Sequence, residues 1–413
     1  MGMNKLYTID LFAGCGGLSE GFLSEGHFSS QASVEWEEAQ CSTLANRLKT
    51  VWNKKNADET VIRFDVRRTN ELLYGYDDPQ YGQNPGLIKL VGNKHISVII
   101  GGPPCQAYSL AGRIRDKYGM KNDYRNYLFE SYIKIVKHFS PDYFVFENVI
   151  GLLSAAPDGT PIINKIREAF DKAGYSVLND FNGALFDVAD LGLPQHRKRV
   201  IILGVKRKNS SLVERIRCNT ILSEFYDLLH HSHYNGPHTV WQTIKDLPKI
   251  YPTDAPLKTK MRKFSHAPIS TKVPNHIPRF HNKRDIKVFS LLASDIESGQ
   301  NKYTHIEQLK MLYTKVTGKT SNIHKYYVLR KDEPSNTIPA HLYKDGLRHI
   351  HPDSKQARSI TVREAARLQT FPDDFVFLGS MSSQYQMIGN AVPVAFAKMI
   401  AQSLYKVIKK YRG

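Results

Sequence analysis

Gly101-Gly102-Pro103-Pro104-Cys105-Gln106 places a thiol on a turn whose backbone path is fixed by two glycines and two prolines. Structural cysteines sit more often inside an apolar strand or helix. A thiol on a rigid turn is a nucleophile candidate, and an ordinary buried thiol is the plainer alternative. Phe144-Val145-Phe146-Glu147 ends an apolar run with a carboxyl group, a candidate general acid; a solvated or helix-capping Glu is the alternative. In Gln195-His196-Arg197-Lys198-Arg199, an extended chain would put Gln195, Arg197 and Arg199 on one face and Lys198 on the other. Such a row offers fixed donors pointing one way. Without a partner it would be only a basic surface run.

A second set of residues suits an adenosine-type ligand. Asp10-Leu11-Phe12-Ala13-Gly14-Cys15-Gly16-Gly17-Leu18 has the form of a strand, a glycine turn and a helix start. Turns of this kind let backbone approach a ligand and aim helix N–H groups at it. The spacing is not the Gly-x-Gly-x-x-Gly of dinucleotide binding. Glu35 at the end of a second strand could hold ribose hydroxyls, and Trp36 offers a face to an adenine ring. Asp65, ending a third strand, could accept from an exocyclic amine. Each feature is weak alone; three consecutive strand ends together point to a cofactor.

The elements that must position these residues alternate in the first half of the chain. Strands are expected at Leu6–Phe12, Gln31–Glu35, Val61–Asp65, Ile96–Ile100, Tyr143–Glu147 and Val200–Val205. Helices are expected from Leu18 and over Glu37–Lys49, Asn126–His138 and Ile162–Ala173. This alternation predicts an α/β fold with a parallel, Rossmann-like sheet and helices on both faces. Gly75–Lys94 reads as a surface insertion, and 206–331 as an irregular stretch without clean period. Helical periodicity returns at Thr361–Thr370 and Val394–Lys409. The expected division is a catalytic, cofactor-binding domain over 1–205, completed by a C-terminal helix at about 384–413. A small basic domain at 206–378 would carry target recognition at about 206–330.

Charge divides the same way. The 413 residues carry a net charge of +18, yet residues 1–205 hold 23 basic and 23 acidic side chains. The excess lies wholly beyond residue 205, as does the run of 12 histidines from His230 to His351. A one-sided excess of this size suits a polyanion-binding lobe, with a merely soluble surface as the alternative. With 41% hydrophobic and 11% aromatic residues, wholesale disorder is excluded. No run of about 18 apolar residues predicts a membrane span. The N-terminus has neither the apolar core of a signal peptide nor a myristoylation pattern. Cys15, Cys41, Cys105 and Cys218 are too scattered for a zinc or disulfide framework, so no metal is expected and the chain reads as cytoplasmic.

Taken in order, the motifs resemble those of the DNA cytosine-5 methyltransferases. Asp10–Phe22 is similar to that family's cofactor loop, Pro103-Pro104-Cys105-Gln106 to its nucleophile loop, and Glu147-Asn148-Val149 to its acid motif. Gln195-x-Arg197-x-Arg199 resembles its arginine motif. Arg363–Gln369 with Phe371-Pro372 resembles its late helix motif, and Gln386-x-x-Gly389-Asn390-Ala391-Val392-Pro393 its closing motif. The segments span residues 6–405, and only the stretch near 206–330 lacks a match. Three departures stand out: the 75–94 insertion, Asn126 after Arg125 where Gly is usual, and Tyr108 where Phe is common.

The resemblance implies methyl transfer from S-adenosylmethionine to C5 of a flipped-out cytosine in a specific double-stranded DNA sequence, leaving S-adenosylhomocysteine. It implies Cys105 as the nucleophile toward C6, Glu147 as the acid toward N3, Arg199 on the O2 side and Arg197 supporting the loop. It assigns Phe12, Gly14, Gly16, Leu18, Glu35, Trp36, Asp65, Leu128, Asn390 and Val392 to the cofactor, and Ser109–Arg125 to a closing loop. The expected partner is DNA, with a companion restriction endonuclease acting separately and the methyltransferase itself a nucleoid-associated monomer. Two other readings stay open: a tRNA-directed member of the family, and a DNA-binding relative without activity.

Overall fold

Ile96-Ser97-Val98-Ile99-Ile100 is buried at every position, as a strand covered on both faces must be. In the computed structural model it lies within an eight-stranded sheet. The structure describes residues 5–104, 128–156, 159–259, 262–322, 325–344 and 346–411. They form two units. The first comprises Met1–Leu191, Lys198–Tyr234 and Ala391–Gly413, and the second Gly192–Arg197 and Asn235–Asn390.

In the first unit the chain runs β1 (Leu6–Leu11), α1 (Gly17–Glu25), β2 (Phe28–Glu35), α2 (Glu38–Thr50) and β3 (Val61–Arg63). β4 (Tyr76–Asp78) and β5 (Gly82–Asn84) form a separate antiparallel hairpin. Then come β6 (Ile96–Gly101), α3 (Leu128–Phe139), β7 (Tyr143–Val149), α4 (Ile162–Lys172), β8 (Tyr175–Ser176), β9 (Leu185–Asp187), β10 (Lys198–Lys206) and α5 (Leu212–His230). The sheet order is β3-β2-β1-β6-β7-β10-β8, with β9 also on β10. β3, β2, β1, β6 and β7 are parallel, whereas β10 runs antiparallel to β7. The mixed α/β, mostly parallel sheet matches the expected fold class; the reversed β10 and the short β8 and β9 are additions to it.

The second unit contains the ribbon β11 (Tyr251–Lys258) and β12 (Lys263–Ala267), then α6 (Lys283–Glu297), α7 (Ile306–Thr317), α8 (Val362–Leu368) and α9 (Met381–Asn390). Val288, Phe289, Leu292, Leu309, Leu312, Val328 and Ile350 form its apolar centre. The chain then re-enters the first unit as α10 (Val394–Tyr411), which packs on α1 and α5. The stretch Met381–Tyr411 is long and apolar enough by composition to cross a bilayer, but 67% of its apolar window is buried in the protein, as in a core helix.

Two boundaries differ from the sequence expectation. The first unit extends to Tyr234 because α5 is tied to β10: Tyr226 Oη accepts from Leu203 N at 3.0 Å and donates to Ile201 O at 2.8 Å. α5 escapes notice in the sequence because Leu212, Val213 and Ile216 are exposed while Ile221, Leu222, Phe225 and Leu229 are buried, which blurs any single apolar stripe. The second unit runs to Asn390, so the division between α9 and α10 falls inside the C-terminal helical stretch.

Part of the histidine run, including His266, His276 and His351, becomes a buried network in the second unit, while His230, His231 and His233 are exposed in the first. Arg358 grips Glu364 with two 2.7 Å hydrogen bonds, both side chains 1% exposed. His351 Nε2 lies 3.5 Å from Glu364 Oε1. His276 is hydrogen-bonded to Thr361 Oγ1 and Pro248 O, and His266 to Gln356 O. Burial, reinforced by Arg358, pushes His351 down to about 3 and His266 to about 4, and lowers His276. The folded unit therefore holds neutral histidines that the unfolded chain would protonate below about pH 6.5. As pH falls from about 6.5 toward those folded-state values, proton uptake by the unfolded chain drains stability from the fold, on the order of a few kcal/mol each for His351 and His266 and in the same direction for His276. Hydrogen exchange in α8 should accelerate, after correction for intrinsic rates, between pH 7.5 and pH 5. Unchanged protection would show that these histidines are not held neutral.

Candidate active site

Register aligns the expected site residues along one edge of the sheet. Ile62 pairs with Val34, Val34 with Leu11, Leu11 with Gly101, and Gly101 with Phe146. The chain leaving this row at each strand carries Asp65, Glu35, Phe12, Gly102 and Glu147 in turn. These are the carboxyl ends of parallel strands, the edge where α/β sheets bind ligands.

At β6 and β7 the row carries the acid. Glu147 Oε1 lies 2.6 Å from Arg199 Nε, both side chains 12% exposed. Ile201 pairs with Glu147 and Arg199 with Val149, so the two side chains are diagonal neighbours across an antiparallel pair. A Cβ on Gly102 would come within 2.4 Å of Glu147 Oε2, so only glycine leaves room for the carboxylate there. Buried Asn148 donates from Nδ2 to Pro103 O at 3.3 Å and holds the start of the Pro-Pro loop. Cys105 and the expected closing loop at Ser109–Arg125 lie outside the described residues. The other thiols are core groups: Cys15, Cys41 and Cys218 are buried, and burial pushes all three up, Cys41 to about 12.

At β1, β2 and β3 the row carries the cofactor candidates. Gly14 and Gly16 take φ of +58° and +96°, and Phe12 takes +59°, a strained value for a residue with a side chain. The Glu35 carboxylate accepts from Gly14 N at 2.8 Å, Trp36 N at 2.8 Å and Glu37 N at 2.9 Å. Burial raises its pKa against the pull of those three donors. Buried Asp10 accepts from Ser19 Oγ at 2.6 Å, while its Oδ1 has no partner among the described residues. Desolvation pushes Asp10 up to about 7. Trp36 is 44% exposed, with the Arg67 guanidinium 5.7 Å from its ring centroid. Arg67 also forks onto Asp65 at 2.5–3.0 Å; burial acts to raise Asp65, but these bonds outweigh it and hold the carboxyl low. Val392 joins this group, its carbonyl lying 2.6 Å from where a Gly17 Cβ would be. Leu18 and Leu128 are buried at the starts of α1 and α3.

Two expected site residues belong to the second unit. Arg197 is buried and donates to Ile338 O at 3.0 Å and Gly389 O at 2.8 Å, bracing those segments. Asn390 closes α9. Burial does alternate from Gln195 to Arg199, but the chain changes unit after Arg197, so the three polar residues make different partners. Gln195 donates to Gln369 Oε1 and accepts from Ile338 N.

The C-5 cytosine-specific DNA methylase family matches residues 6–406. The chain belongs to that family. It is a DNA cytosine-5 methyltransferase, and family and fold imply use of S-adenosylmethionine. Type II methyltransferase M.Bpa9945I of Bacillus paralicheniformis is 34% identical over 98% of this chain and 99% of its own length. Type II methyltransferase M1.HphI of Haemophilus parahaemolyticus is 30% identical over 98% and 87%. Among solved structures, a candidate DNA modification methyltransferase from an E. coli prophage has a TM-score of 0.60 at 24% identity, covering 98% of this chain and all of its own. Methyltransferase EhMeth of Entamoeba histolytica has 0.53 at 14%, with both chains covered in full. At these identities the structures speak for the fold. Sequence reading gave Gly102 of this methyltransferase a part in shaping the turn but not in making room for Glu147, and gave no roles to Asn148 and Arg67. The Gly-Gly doublet before the prolines is the one signal that could have flagged Gly102.

Proposed function

We propose that this methyltransferase acts on C5 of a flipped-out cytosine in a specific duplex sequence through a covalent bond from Cys105 to C6. The reading is carried by the pairing of Glu147 with Arg199 beside the Gly102-Pro103-Pro104 turn that leads into Cys105. C5 of cytosine is a poor nucleophile. Thiolate addition at C6, with a proton delivered from Glu147 toward N3, moves electron density onto C5 and makes it an enamine carbon. Arg199 holds the O2 side. After methylation, a base takes the C5 proton, the C5–C6 double bond re-forms and expels the thiolate, and the proton on N3 returns to Glu147. Because both carbons are stacked inside the duplex, the base must leave the helix, at a cost of a few kcal/mol.

S-adenosylmethionine, when bound, supplies the electrophilic methyl group, and the residues present fit it. Phe12, Gly14, Gly16 and Leu18 offer the turn, Trp36 a face, Asp65 an acceptor, and Leu128 and Val392 the remaining wall within the first unit. Asp10 Oδ1 is a buried acceptor awaiting a donor. A carboxylate has about four lone-pair sites, so Glu35, with three filled by backbone N–H groups, retains one for a ribose hydroxyl. Glu35→Ala should raise the KM for S-adenosylmethionine about ten- to hundredfold, the loss expected for a charged hydrogen bond. An unchanged KM would remove Glu35 from the cofactor site.

The second unit is proposed to choose the sequence. Its β11–β12 ribbon is exposed along β11 except at half-buried Thr253, with Lys258, Arg262 and Lys263 beside Leu257 at one end and Tyr251 at the other. A two-stranded ribbon of this kind fits a major groove. The type II names of the relatives favour a separately acting companion endonuclease, and we read the enzyme as a cytoplasmic monomer. Labelled methyl transfer to duplex DNA and to RNA, followed by bisulfite sequencing, tests the whole reading. Methylcytosine at one DNA sequence is expected. Transfer to RNA alone, or to neither, would overturn it in favour of the two other readings.

A further inference from the structure

Phe64, the residue before Asp65, is buried at the end of β3, the edge strand of the sheet, where no further strand braces it. The 75–94 segment does so instead. The Tyr76 ring stacks on Phe64 with centroids 3.9 Å apart and planes 14° apart, and Tyr81 meets it edge-on at 5.1 Å. The Arg68 guanidinium lies 4.7 Å from the Phe64 ring centroid. Arg68 is itself held by Asp78 of β4 at 2.6 Å and by Glu71. Asp78 also accepts from Gln80 N and Tyr81 N, which ties the hairpin turn to the same carboxylate. The hairpin therefore grips Phe64 directly through two rings and indirectly through Arg68.

We infer that the β4–β5 hairpin is a positioning element for the adenine end of the cofactor site, fixing Phe64 and through it the carboxylate of Asp65. This rests on the reading that Asp65 meets the adenine amine. The turn that presents Asp65 follows a strand of only three residues and is closed by local bonds, Arg68 N to Asp65 O, Arg67 N to Asp65 Oδ1 and Thr69 Oγ1 to Val66 O, each at 3.0 Å, with Phe64 N to Glu35 O at 3.0 Å as its backbone tie to β2. Arg67 couples Asp65 to Trp36, so movement of the turn disturbs both adenine-facing groups together. Glu147 and Arg199 stand on β7 and β10, separated from β3 by β2, β1 and β6. Loosening the hairpin should thus weaken cofactor binding and spare the chemistry at the base.

The test measures the KM for S-adenosylmethionine, kcat at saturating cofactor, and calorimetric binding of S-adenosylhomocysteine, with a melting curve to verify folding. Tyr76→Ala should raise KM and Kd about three- to tenfold, the range an aromatic pair contributes, with kcat within about twofold of wild type. Tyr76→Phe should keep the wild-type KM, since stacking needs only the ring. Asp78→Asn, which removes the hairpin's ion pair to Arg68 while leaving the rings and the Glu71 contact, should shift KM in the same direction and stands in if Tyr76→Ala does not fold. An unchanged KM in folded Tyr76→Ala or Asp78→Asn, or a parallel fall in kcat, would overturn the inference. Asp65→Ala separates the two levels. If it raises KM while Tyr76→Ala does not, the hairpin inference alone fails; if it leaves KM unchanged, the adenine assignment fails as well.

Discussion

Cys105→Ala will reduce methyl transfer to background while leaving duplex binding within a few-fold of wild type. No other described thiol can replace it. Cys15, Cys41 and Cys218 are buried, and burial favours their neutral, unreactive form. Without a nucleophile at C6, C5 never becomes an enamine carbon, so the loss is of the reaction itself and not of a contact. Duplex carrying 5-fluorocytosine at the target position gives the complementary result. Fluorine cannot leave as a proton, so wild-type enzyme with cofactor should retain a denaturant-stable adduct that Cys105→Ala does not form. Normal turnover by the variant, or no adduct on the cognate sequence, would refute covalent catalysis.

Glu147→Gln should lower kcat by about 10²–10⁴-fold, the usual worth of general acid catalysis, with a much smaller change in DNA affinity. The amide keeps the shape of the carboxyl, and the space left by Gly102 accepts either. What disappears is the ionisable carboxyl that lies against Arg199. Equal losses in kcat and affinity would move Glu147 from chemistry to binding.

The parts of this enzyme legible in its sequence are those where local pattern and global position agree. The apolar run at Ile96–Ile100 could only be a covered strand, and the residues that follow each early strand fall on one edge because parallel neighbours in register must end together. That logic placed Glu35, Asp65 and Glu147 along that edge from spacing alone. It could not show what each touches. Arg199 as the neighbour of Glu147 depends on β10 running antiparallel to β7, and nothing in Lys198–Lys206 encodes direction. The Gln195–Arg199 alternation was readable as burial, but not the change of unit after Arg197, which depends on partners at Ile338 and Gly389 far along the chain. The hairpin at Tyr76–Asn84 was hidden for a similar reason: its tyrosines look like surface aromatics until Phe64 is seen beneath them.

The chain crosses between its two units four times, after Leu191, Arg197, Tyr234 and Asn390. If the second unit chooses the target sequence, as proposed above, specificity in such a molecule is not a detachable module. A graft begun at residue 206 would sever α5 from the strand that anchors it, and one cut cleanly at 235 and 390 would still leave Gly192–Arg197 behind in the host. The incoming segment must then accept a foreign Gln195 and Arg197 at Ile338, Gln369 and Gly389. Lineages that trade recognition segments are thereby restricted to donors preserving those seats. New target sequences should arise more readily by drift within the β11–β12 ribbon than by wholesale recombination.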